Sequence, residues 1–204
     1  MYIKSFNKTT KEQRKQIETP CNQVYLKEGE HIGVQMANYM RLRNRKIDVG
    51  LSHNQVGGNK SVFVARLSCT SWKYEMYDSE KPLSMSSFKN NGKKWRVFVN
   101  PTITHHSKGI LADVHNGEGC LSFPDKFTES TNRWSWVVVK HQIRARNTLD
   151  GKLMFIEEKF QNYDSRIVQH EIDHLNGIHI FNKEEIVSRN PSSQLGTFNK
   201  ENTK

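Results

Sequence analysis

Between residues 28 and 44, apolar side chains recur at helical spacing, with Ile32, Met36, Tyr39 and Met40 on one face. That period predicts an amphipathic helix. The pattern then gives way to a loop over residues 49–58, rich in Gly, Asn, Ser and His. Residues 62–67 form a short apolar run and predict a strand; residues 95–99 predict another, closed by Asn100-Pro101. Between the two, residues 69–94 are polar and irregular, with Pro82 and an Asn90-Asn91-Gly92 turn signal, and read as an insertion. Residues 134–145 and 152–160 are strand-like on either side of Asp150-Gly151, which predicts a hairpin. Trp134 and Trp136 alternate with Ser135 and are expected to pack on one face of it. Asp164 stands where it would cap a helix running to about Leu175 or Asn176, and Gly177 supplies the stop. The layout is α+β, with antiparallel sheets packed around one central helix.

The chain has 204 residues, enough for one domain with a substantial core. We draw that domain over residues 1–189, with a polar tail over 190–204 that contains Pro191. No run of about 18 apolar residues is present, so no membrane span is expected. Residues 1–20 are polar and Lys-rich, with no apolar stretch of a secretory signal. Three scattered cysteines, Cys21, Cys69 and Cys120, do not make a disulfide framework. A reducing compartment follows, the cytoplasm first, with an organelle matrix left open. The net charge of +10 fits either an acidic partner such as nucleic acid or a solvated basic surface. The basic residues are dispersed around small clusters at residues 41–46 and 93–96, without a nucleic-acid motif.

The central helix carries chemistry. Gln169-His170-Glu171-Ile172-Asp173-His174-Leu175 sets two histidines one helical turn apart, within reach of one divalent ion. Glu171 follows the first histidine and points about 100° away from it, where it can act as a general base rather than a ligand. A third ligand must come from elsewhere. The extended zinc-peptidase pattern fits Gly177 but places its last histidine at His179, one residue short, with Ile180 at the required position. Glu184 and Glu185 are a second source. Cys120, within Glu118-Gly119-Cys120-Leu121-Ser122, is a third: its thiolate suits zinc or ferrous iron, and Gly117 and Gly119 permit close backbone approach.

Together with a loop ending in glutamine, Gly50-Leu51-Ser52-His53-Asn54-Gln55, these motifs make the chain resemble the peptide deformylases over about residues 20–185, and the segment near 69–94 is similar to the extra segment of their longer bacterial subclass. The resemblance implies that Cys120, His170 and His174 hold the metal, typically ferrous iron, replaceable by zinc, nickel or cobalt. Glu171 is then the residue that takes a proton from the attacking water and returns it to the leaving amine. The Gln55 amide and the Leu121 backbone N–H are the implied oxyanion donors. Val49, Gly50, Glu118 and Gly119 are the implied substrate contacts, and Tyr163 and Ile167 the implied pocket for a methionine side chain. Glu118 is also an orienting carboxylate with Arg133 as its partner, and Gln169 and Asp173 are candidates to orient ligands. The implied substrate is the N-formylmethionyl end of a nascent peptide, released as formate and a free amine, and the positive charge would suit contact with ribosomal RNA. Two other readings use the same helix: a metallopeptidase with Glu184 or Glu185 as third ligand, and a metal-binding homologue with weak or no catalysis.

The first motif departs from the family pattern. Asp48 stands where a glycine is usual, Ser52-His53 where two alanines are usual, and Asn54 at a variable position. His53 must be accommodated by a rearrangement or point outward; it is an ordinary loop histidine or a fourth ligand. Arg166 falls on the face implied for the methionine pocket, and either points away or alters that pocket.

Overall fold

The apolar run at residues 62–67 forms a strand buried on both faces, and the rest of the core is arranged around it. The computed structural model describes residues 10–68, 94–111, 118–128, 132–144 and 153–181. In chain order the elements are α1 (Lys11–Ile17), α2 (Leu26–Arg43), β1 (Gly50–Ser52), a 3-10 turn (His53–Val56), β2 (Val62–Leu67), β3 (Lys94–His106), β4 (Glu118–Cys120), β5 (Phe123–Thr128), β6 (Trp136–Arg144), β7 (Leu153–Gln161) and α3 (Asn162–Leu175). Five strands form an antiparallel sheet in the order β1-β2-β3-β6-β7, and β4 and β5 form a separate antiparallel pair.

Side chains alternate across β2 and feed two apolar layers. Phe63, Ala65 and Leu67 face α3, where they meet Val168, Ile172 and Leu175. Val62 and Val64 face α2, where they meet Ile32, Met36 and Met40, with Tyr39 partly buried at the margin. The expected α+β layout is therefore a sheet with one helix on each face, and the metal-motif helix is the inner one. Close approach of α2 depends on small residues. A Cβ at Gly33 would stand 2.1 Å from Val97 Cγ1, and one at Gly29 would stand 2.6 Å from Val99 Cγ1.

Several boundaries differ from the sequence expectation. β3 does not end at Asn100-Pro101 but continues through it to His106. The ladder shifts register between Val99 and Thr102, so a proline, which lacks an N–H, sits at a bulge. Asn100 adopts φ 49° there, a conformation asparagine tolerates, and its side chain bonds the Val24 backbone and Gln142. Trp134 and Trp136 do not share a face. Trp134 stacks on His106 and packs on the α3 side, whereas Trp136 lies on the other face under Lys159.

α3 begins at Asn162, two residues before Asp164. The Asp164 carboxylate instead accepts the Ser68 backbone N–H at 3.0 Å and ties the first helical turn to the end of β2. Gly177 does stop the helix, at φ 75°, and its N–H reaches the His174 carbonyl. β6 and β7 pair from Trp136↔Gln161 to Arg144↔Leu153, as the hairpin reading requires. The Asp150-Gly151 turn, residues 69–93 and the tail lie outside the described residues. Among the described residues, no helix is long and apolar enough to cross a membrane.

The Gly33 contact gives a test of the α2 layer. Gly33→Ala overpacks it against Val97 and is expected to destabilise the protein by about 1–3 kcal/mol. Chemical denaturation would read this as a lower midpoint at unchanged slope; an unshifted midpoint would contradict the packing described.

Candidate metal centre

α3 presents its apolar side to the sheet and its polar side to the short β4–β5 pair. Its successive turns bring His170 and His174 together, with Nε2 atoms 3.1 Å apart. β4 delivers Cys120 to the same point, its Sγ 3.1 Å from His174 Nε2. All three ligand atoms lie within 4.8 Å of one another, and all three residues are buried. This donor set fits a divalent metal: one soft thiolate and two imidazoles gather around a common point. A proton on His174 Nε2 can serve only one of Cys120 Sγ and His170 Nε2 well, whereas a cation among the three donors serves them all.

The surrounding shell fixes which nitrogen is available. Glu118 accepts a hydrogen bond from His170 Nδ1, so the lone pair of His170 stays on Nε2, toward Cys120 and His174. Glu118 is in turn gripped by Arg133, whose Nε and Nη2 lie 3.0 and 2.6 Å from its two oxygens. Arg133 also bonds Asp173, so one buried guanidinium joins two carboxylates. Burial pushes the Glu118 carboxyl up, but the Arg133 charge and His170 outweigh it and hold Glu118 well below the usual carboxylate range. Asp173 thus acts on the ligands through Arg133. Gln169 does something different: its amide bonds both the N–H and the carbonyl of Trp134 and pins α3 to the chain entering β6.

Glu171 is buried on the neighbouring side of α3. Its Oε2 accepts the Ser52 hydroxyl at 2.7 Å. Its Oε1 lies so close to Gly50 that a Cβ there would stand 2.1 Å away. Burial pushes the Glu171 carboxyl up to about 7, against the opposing effects of His170 and the Ser52 hydrogen bond. Gln55 occupies the 3-10 turn, and its Oε1 accepts the Ser52 backbone N–H at 2.8 Å. Its Nε2 is thereby directed to Ser122 Oγ at 3.0 Å and Cys120 Sγ at 3.5 Å. Leu121 follows Cys120 in the turn between β4 and β5, with its side chain against the α2 layer.

The remaining candidates are more spread out. Val49 is partly buried against the α3 layer, and Gly119 is overlain by Phe127, whose Cε1 would be 2.7 Å from a Cβ there. Ile167 is buried in the layer between α3 and the sheet; Tyr163, at the start of the helix, is half exposed. Arg166 stays on the buried side of α3. His53 is buried away from the ligand group: its ring lies on Gly58, where a Cβ would be 2.2 Å away, and its Nδ1 accepts the Lys60 N–H. Asp48 is buried beside Arg43, 2.9 Å from its Nε. His179 pairs with Glu18 at 3.1 Å, and Glu184 and Glu185 lie outside the described residues. Two residues gain importance that sequence reasoning did not give them. Ser52 contacts both Glu171 and Gln55, and Asn54 donates to the carbonyls of Ile17 and His174, joining α1 to the end of α3. The only signal was a hydroxyl and an amide within a loop of small residues.

Comparison with known proteins gives a consistent picture. A family model described as polypeptide deformylase matches residues 6–190. A peptide deformylase of Thermus thermophilus is 30% identical over 135 residues, which span 66% of this chain and 60% of that relative, less than two thirds of its length. A crystal structure of a probable peptide deformylase from a Synechococcus phage superposes with a TM-score of 0.56 at 30% identity, covering 83% of this chain and 93% of that one. A Met-Ala-Ser bound class I type b peptide deformylase from Acinetobacter baumannii superposes with a TM-score of 0.55 at 26% identity, covering 82% and 91%.

The Glu118–His170 bond makes a prediction about the metal alone. Glu118→Gln is expected to weaken metal binding about 10–100-fold, because the amide no longer fixes the imidazole as a carboxylate does. Competition against a chelator would measure it; unchanged affinity would refute the orienting role.

Proposed function

This chain belongs to the polypeptide deformylase family, and we propose that it hydrolyses the N-formyl group from peptides that begin with formylmethionine, releasing formate. The observation that carries the proposal is the placement of a buried carboxylate, Glu171, and an oriented amide, Gln55, beside the Cys120–His170–His174 group. Membership of the family implies a metal ion, and we assign ferrous iron as the native ion, with zinc, nickel or cobalt able to replace it. Held by Cys120, His170 and His174, such an ion would supply Lewis acidity and lower the pKa of a water at the site.

The protein's own residues do the rest. Ser52 holds Glu171 Oε2, and we assign Oε1, on the side of the implied substrate contact Gly50, as the oxygen that takes a proton from the attacking water. A carboxyl pushed up to about 7 both accepts that proton and gives it back readily to the leaving amine. Gln55 Nε2 and the Leu121 N–H stabilise the oxyanion; a single such donor is typically worth about 3 kcal/mol in the transition state. Gln55 brings no charge, so it does not compete with the ligands. Val49, Gly50, Glu118 and Gly119 receive the peptide backbone, and Ile167 with Tyr163 forms the apolar side of the methionine pocket. The Acinetobacter relative, solved with Met-Ala-Ser bound, supports a product that starts with methionine. We place the reaction in the cytoplasm, on nascent chains.

The test is a formate-release assay on protein purified without oxygen. Wild type is expected to release formate from a formyl-Met peptide faster than from a formyl-Glu peptide. Glu171→Ala is expected to keep its metal and lose about 10²–10⁴ in turnover. Undiminished turnover in Glu171→Ala, or no formate from wild type, would refute the mechanism; preference for the acidic peptide would refute the pocket.

A further inference from the structure

We propose that Ser52 is a positioning residue that sets the proton-transfer carboxylate and the oxyanion amide at once, through two separate donors. This rests on the deformylase reading above. Ser52 closes β1, paired with Phe63 of β2, and has no solvent exposure. Its backbone N–H donates to Gln55 Oε1 at 2.8 Å. Its hydroxyl lies 2.7 Å from Glu171 Oε2 and 2.9 Å from the Glu171 carbonyl oxygen. The hydroxyl has one proton, and a carboxylate is the stronger acceptor, so the bond to Oε2 prevails.

Each donor removes one ambiguity. A glutamine amide can point either end at a site; the Ser52 N–H takes the oxygen, so the NH₂ end is left for Cys120 and Ser122. A glutamate carboxylate can present either oxygen; the Ser52 hydroxyl takes Oε2, so Oε1 is left for the reacting proton. The strand register that places Ser52 therefore places both side chains, across 119 positions of sequence in the case of Glu171. An alanine, the residue usual here in the family, keeps the N–H and loses only the hydroxyl; the N–H contact is open to any residue at this position, whereas the hydroxyl contact to Glu171 belongs to this chain's own version of the site. Ser52 touches none of the three candidate ligands, so its effect on metal content should be nil.

The experiment is a double-mutant cycle on the metal-loaded full chain, using Ser52→Ala and Glu171→Ala, with kcat, KM and metal content measured for each. Ser52→Ala is expected to lower kcat roughly 10–100-fold, as loss of a buried hydrogen bond to a charged group does. KM should stay within about twofold, because the hydroxyl touches Glu171 and none of the residues assigned to receive the peptide. In the Glu171→Ala background the same change should alter residual turnover less than about twofold, because the hydroxyl then has no carboxylate to hold. Wild-type turnover in Ser52→Ala, an effect confined to KM, or an equal loss in both backgrounds overturns the role of Ser52 while leaving the deformylase reading intact. Wild type without formate release overturns both.

Discussion

The polar side of α3 is buried, and the partners that most of its groups find elsewhere in the chain organise the site. From Asp164 to Leu175, all residues of the helix but Asp173 are buried, including two histidines, two carboxylates, an arginine and a glutamine. Leaving such groups unpaired in a low-dielectric interior would cost several kcal/mol each. Each partner comes from a different part of the chain. Ser68 meets Asp164, Trp134 meets Gln169, Glu118 meets His170, and Ser52 meets Glu171. The sheet, the β4–β5 pair and the β1 loop are thus all docked onto one helix by polar contacts that double as the chemistry.

The buried charges follow the same logic. Arg133 sits in the interior because two carboxylates surround it, and Glu118 stays ionised there because Arg133 does. Removing one member would strand the others, so the network is fixed as a unit. Its output is narrow: a single imidazole tautomer at His170, aimed at Cys120 and His174. Polar clusters of this kind set geometry more than they add stability.

Much of this was legible in the sequence, and the exceptions have physical reasons. The i, i+4 histidines and the helix stop at Gly177 are local signals, set by helical period and by a left-handed backbone position. The strand at residues 62–67 was legible because continuous burial leaves a continuous apolar run. Cys120 needed the family resemblance, since nothing local ties residue 120 to residue 174. The altered first motif was misleading in isolation. His53 is bulky only until Gly58 is seen to leave room for it, and Asp48 is unexpected only until Arg43 is seen beside it. Ser52 and Asn54 were silent because the contacts that tie them to α3, to Glu171 and to the His174 carbonyl, span more than 100 positions. The bulge at Asn100-Pro101 read as a strand end because a proline breaks a ladder locally, while Asn100's side-chain bonds repair it from outside.

The tie between Asp164 and Ser68 reaches beyond the site. Ser68 follows the last residue of β2, Leu67, which is paired with Lys94 at the start of β3. The end of β2 and the start of β3 therefore lie side by side, the first of them fastened to the helix that carries the ligands. Asp164 is thus the clamp that carries the position of the sheet into the helix that bears the ligands.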